Sequence, residues 1–157
     1  MVMGTVKTGG GGCICPENVM LRSLVRHLLL ERNEVIILDM VAGIEHLGRA
    51  TADAVDAFIV VVEPGQRSMQ TAHTIRRLAE DIGIQRIYVV GNKVRTPEER
   101  TFVEQAVDNL PLLGIVQYHP EVIEADRRGV ALYDIGGPAV EEIRAIQQEL
   151  DRRLERA

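Results

Sequence analysis

Residues 57–94 read AFIVVVEPGQRSMQTAHTIRRLAEDIGIQRIYVVGNKV. Two short apolar runs, Ala57–Val62 and Arg86–Val90, flank a stretch with a different period. Neither run alternates polar with apolar, which suits strands of a parallel sheet buried on both faces. Between them Met69, Ala72, Ile75, Leu78, Ala79 and Ile82 recur at helical spacing, with Ser68 placed as N-cap and Gly83 as stop. Strand, helix, strand is the unit of a parallel sheet.

The same grammar extends outward. Val35–Leu38 and Leu112–Val116 are further short apolar runs, and Val2–Val6 reads as an edge strand. Leu21, Leu24, Val25, Leu28 and Leu29 form one helical stripe. Thr96-Pro97-Glu98-Glu99 is a capping box with proline in the first helical position, opening a helix that carries Phe102, Val103, Ala106 and Val107. Gly137-Pro138 opens a last helix with Val140, Ile143, Ile146, Leu150 and Leu154. The expected fold class is α/β, a mostly parallel sheet flanked by helices, with 1–157 as a single domain.

Composition narrows the function classes. A chain that is 46% hydrophobic and 26% charged is neither disordered nor fibrous. A net charge of −5 supplies no basic footprint for nucleic acid or an anionic membrane surface. With no Trp, three Tyr and two Phe, stacking platforms for bases are scarce. No apolar run approaches the roughly 20 residues of a membrane span, and no signal peptide is expected at Met1–Thr8. Two cysteines one residue apart form no disulfide framework and fit a reducing cytoplasm.

Three segments carry chemistry. The first is Lys7-Thr-Gly-Gly-Gly-Gly-Cys-Ile-Cys-Pro-Glu-Asn18. Its glycines either cradle an anion or simply let the chain turn. They do not form a Walker A loop, because neither Lys7 nor Lys93 follows a glycine. Pro16 in a first helical position makes Cys15 an N-cap, where the helix dipole favours thiolate. Cys13 and Cys15 would then be soft ligands for zinc, nickel or copper, but only half of a tetrahedral site. A second copy across a two-fold axis would complete it. The alternative is a pair of inert loop thiols.

The second segment is Val35-Ile-Ile-Leu-Asp-Met-Val-Ala-Gly-Ile-Glu-His46. A hydrophobic strand ending in Asp39, followed by a loop with Gly43, is where nucleotide hydrolases place the acid that holds Mg²⁺ through water. An acidic strand end without that role is equally ordinary. The third is Tyr88-Val-Val-Gly-Asn-Lys93, a strand followed by Asn-Lys, which recurs in P-loop proteins as a base-recognition element. Asn92 is also a common turn residue. His27, His46, His73 and His119 are scattered, and read as surface, packing or loop residues.

Together, GGGGCICPEN, LDMVAGIEHLGR, VEPGQRS and VVGNKV closely resemble the CooC-type accessory proteins of carbon monoxide dehydrogenase, MinD-like P-loop ATPases implicated in nickel insertion. The resemblance runs over essentially the whole chain. It implies that Cys13 and Cys15 are metal ligands for nickel or zinc, shared across a homodimer. It makes Asp39 the catalytic acid of the switch II region, Gly43 part of its mobile loop, and Asn92 and Lys93 residues of the adenine pocket for ATP or ADP with Mg. It implies carbon monoxide dehydrogenase as client and a cytoplasmic location, with no nucleic acid among the partners. The family also begins with a strand and a P-loop bearing two lysines, which this sequence does not contain. Hydrolysis by this chain alone is therefore not expected, and a separate upstream P-loop segment is a further implied partner. The rival expectation is a non-catalytic MinD/ParA-like binding or dimerisation module in which the cysteines are incidental.

Overall fold

The computed structural model describes residues 35, 37, 39, 55–81 and 83–155. The chain divides into two compact units, Met1–Val55 and Asp56–Ala157. In the first, Val35, Ile37 and Asp39 lie in no strand, and Val35 and Ile37 are 86% and 88% exposed. The strand expected at Val35–Leu38 is thus not formed at these positions. An apolar run is only permission to form a strand; a ladder partner and burial must follow. The expectations at Val2–Val6, at Leu21–Leu29 and at Cys13, Cys15, Pro16 and Gly43 lie outside the described residues, as do those at His27 and His46.

The second unit is a three-stranded parallel sheet in the order β1 (Phe58–Val62), β2 (Ile87–Val94), β3 (Leu112–Gln117). Helix α1 (Gln66–Asp81) joins β1 to β2, and α2 (Pro97–Ala106) joins β2 to β3. Right-handed crossovers between neighbouring parallel strands put both helices on one face. His73 of α1 accordingly donates from Nε2 to the Ala106 carbonyl at the end of α2 (3.2 Å). After β3 come α3 (Pro120–Arg128), the short α4 (Leu132–Ile135) and α5 (Pro138–Glu155), and α5 covers the other face.

The core follows from this layering. Val60, Val62, Val89 and Gly91 alternate toward α1 and α2, where Met69, Ala72, Ala79 and Val103 are buried. Tyr88 and Val90 point the other way and pack with Leu113, Ile146 and Leu150. Central β2 is buried on both faces over Ile87–Gly91, as a run without alternation predicts. Strand β1, at the edge of the sheet among the described residues, departs from that prediction, because Ile59 and Val61 are 42% and 59% exposed. They stand in register with Tyr88 and Val90, on the side that α5 covers only over β2 and β3.

Helix boundaries reflect local chemistry. Helix α1 starts at Gln66, two residues before the expected N-cap. Pro64-Gly65 makes the turn, and the Gly65 carbonyl accepts from the Met69 N–H (3.2 Å). Ser68 instead turns back, its Oγ accepting the Glu63 N–H at 3.0 Å. Gly83, at φ 92°, takes the left-handed geometry expected of a helix stop. The capping box at Thr96 forms with a shift. Thr96 Oγ1 accepts from the Glu99 N–H (3.2 Å), while Glu99 reaches back to the Arg95 N–H (2.6 Å), not to that of Thr96. Helix α3 was not expected from the sequence. Pro120 in its first turn and left-handed Gly129 at its end were the available signals.

Candidate functional site at the carboxyl edge of the sheet

In open α/β sheets, ligands bind outside the carboxyl ends of the strands. Here that edge gathers Glu63 after β1, Asn92 and Lys93 within β2, and Tyr118 and His119 after β3. Asn92 and Lys93 are strand residues, not loop residues as their type suggests. The β2–β3 ladder is irregular there. Gly91 pairs with Ile115 and Val94 with Gln117, so β2 carries one residue more than its partner over this step. Lys93 has φ 56°, the left-handed region that a residue with a Cβ rarely enters. Extra residues of this kind occur beside binding sites, where they re-aim a side chain.

Two side chains brace this irregularity. Lys93 Nζ lies 2.6 Å from Glu63 Oε1, joining the ends of β1 and β2. Arg95 places its guanidinium 4.0 Å from the centre of the Tyr118 ring, and the Tyr118 N–H donates to the Val94 carbonyl (2.9 Å). The Asn92 side chain, by contrast, has no hydrogen-bond partner among the described residues, although the residue is half-buried.

On the β3 side, His119 is held between two carboxylates. Its Nε2 donates to Glu142 Oε2 of α5 (2.8 Å), and its Nδ1 lies 3.4 Å from Glu121 Oε1 of α3. The same Glu142 oxygen accepts the Gln117 N–H at 2.9 Å. This cluster ties the end of β3 to both helices. No group of three or more His, Cys, Asp or Glu side chains that could hold a metal occurs among the described residues. One titratable group at this end is clearly perturbed. The Thr96 hydroxyl, and then its own backbone N–H, hydrogen-bond the Glu98 carboxylate and hold it below the usual range.

Of the residues marked from sequence, Asn92 and Lys93 sit together at the carboxyl edge. Asp39 is exposed and outside regular structure in the other unit. Glu63 and the His119–Glu142 contact were not singled out. Glu63 was visible only as the acid ending an apolar run, and Glu142 lies 23 residues from its histidine, a separation no local pattern reveals.

This arrangement is a MinD-like α/β fold. The MinD cell division protein of Aquifex aeolicus superposes with a TM-score of 0.68 at 23% identity, over 88% of this chain and 60% of that one. The same protein in its complex with MinC matches equally, over 59% of its length. In sequence the chain is similar to proteins longer than itself. It is 40% identical to the carbon monoxide dehydrogenase accessory protein CooC of Rhodospirillum rubrum over 98% of its own length and 59% of the relative's. An uncharacterized ATP-binding protein of Methanocaldococcus jannaschii is 45% identical over 93% of this chain and 57% of that protein. The chain thus spans under three fifths of the length of these relatives. No protein-family model matches it. Among the described residues no helix is long and apolar enough to cross a membrane.

Proposed function

We propose that this protein is an accessory factor in carbon monoxide dehydrogenase maturation, coupling ATP binding to nickel insertion in the cytoplasm. The observation that carries this reading is its 40% identity to CooC along 98% of the chain. In it, 1–157 is a single domain that forms the C-terminal part of a MinD-like nucleotide-binding domain. Asn92 meets the adenine edge beside Lys93, Asp39 holds Mg²⁺ through water, and Gly43 lies in the loop that follows. The Asn92 amide, which has no side-chain hydrogen-bond partner among the described residues, supports the base-binding part from its place at the carboxyl edge, because an amide pairs in bidentate fashion with adenine N6 and N7.

The cargo metal, nickel or zinc, is held by Cys13 and Cys15 of two copies, four thiolates in all. One metal ion per two chains is expected. Sedimentation of the chain with and without nickel or zinc tests this. Metal-promoted dimerisation that Cys13→Ser or Cys15→Ser abolishes is the expected result, weakening at acid pH as the thiols regain protons. A monomer indifferent to metal, or binding that survives Cys13→Ser, overturns the metal reading and leaves the non-catalytic MinD/ParA-like module.

A further inference from the structure

Lys93 combines three features that the base-binding role alone does not require. It adopts a left-handed φ of 56° without being glycine. It lies in the step where β2 gains a residue over β3. Its ammonium is already engaged by Glu63, 2.6 Å away at the end of the neighbouring strand. The Glu63 backbone is tied in turn to α1, since its N–H donates to Ser68 Oγ in the first turn of that helix. A backbone held in a sparsely populated conformation needs its surroundings to over-determine it, and such positions cluster at ligand sites. Directly before it stands Asn92, half-buried, its side chain without a hydrogen-bond partner among the described residues.

We infer that Glu63 is a positioning residue for purine recognition: through Lys93 it holds the left-handed step in β2 that presents the Asn92 amide at the carboxyl edge. This rests on the nucleotide reading above and adds a residue to it. It also reassigns Lys93. An ammonium paired with Glu63 acts on the base through the backbone and not by touching it. The pair is more than half exposed on both sides, so its leverage is modest.

The test compares the full chain with Glu63→Ala and with the charge-reversed double variant Glu63→Lys/Lys93→Glu. The readouts are the Asn92 side-chain amide signals in ¹⁵N NMR and titrations with ADP and inosine diphosphate, which differ at the purine 6-position. Glu63→Ala is expected to shift the Asn92 signals and weaken ADP about two- to fivefold, with little change for inosine diphosphate. The double variant is expected to restore both. A merely structural loss would weaken the two nucleotides alike, and that outcome overturns the positioning role. So does ADP binding by Glu63→Ala equal to the parent's with the Asn92 signals unmoved. Absence of ADP binding by the parent chain overturns the nucleotide reading itself, and this role with it.

Discussion

At Thr96 one hydroxyl serves two acidic neighbours. It accepts the Glu99 N–H, closing one of the unpaired donors at the start of α2, and it donates to the Glu98 carboxylate. Thr96→Ala is expected to cost about 1 kcal/mol of stability in urea unfolding. In the same variant the Glu98 titration, followed by carbon NMR, should move up toward the ordinary carboxylate range. The sign for pH follows. Glu98 is held low in the folded chain, so its contribution is present above the unfolded-state value and fades as pH falls through the folded one. Glu98 is fully exposed, so the pH effect is small. The spacing of Thr96, Pro97 and Glu99 announced this cap. It did not announce which N–H Glu99 would take, because that depends on how Arg95 leaves β2 toward Tyr118.

Between elements, α5 packs tightly on β3 at Gly114. A Cβ on Gly114 would lie 2.7 Å from Ile146 Cγ1, so glycine here is a packing requirement. Gly114→Ala is expected to destabilise by about 1–3 kcal/mol through overpacking. In an Ile146→Ala background the same substitution should cost clearly less, since the clashing atom is gone. Unfolding curves of the four proteins in that cycle measure the coupling, and equal costs in both backgrounds would show that the contact does not limit packing. The helical stripe containing Ile146 was readable from spacing alone. Its partner was not: Gly114 sits in an apolar run whose facing depends on an irregularity in β3 near Leu113.

At the scale of the whole molecule, unit 56–157 leaves Ile59 and Val61 showing on β1, and among the described residues β1 pairs with β2 alone. An apolar edge strand of this kind is a template for association. The double variant Ile59→Thr/Val61→Thr should reduce concentration-dependent self-association in light scattering while leaving the melting temperature within a few degrees, because little buried area is lost. Unchanged association would place the sticky surface elsewhere. The fold class was legible because strand and helix periods alternate in order along 57–117. Exposure of β1 was not, since two-sided burial and an uncovered edge are written with the same run of apolar letters. At the candidate site, Asn92 and Lys93 were legible as a motif, whereas Glu63 lies 30 residues from Lys93 and meets it only through strand pairing.

The β2–β3 ladder gains one residue on β3 between the Val89 and Val90 pairings, then gives it back on β2 between Gly91 and Val94. The two offsets cancel, so the strands leave the ladder in the alignment in which they entered it. Each step absorbs its own extra residue, so deleting that residue would close the step and leave the pairings on either side of it in place. Leu113 and the Asn92-Lys93 step are therefore the two places where this ladder can lose a residue without turning the rest of a strand over to its other face.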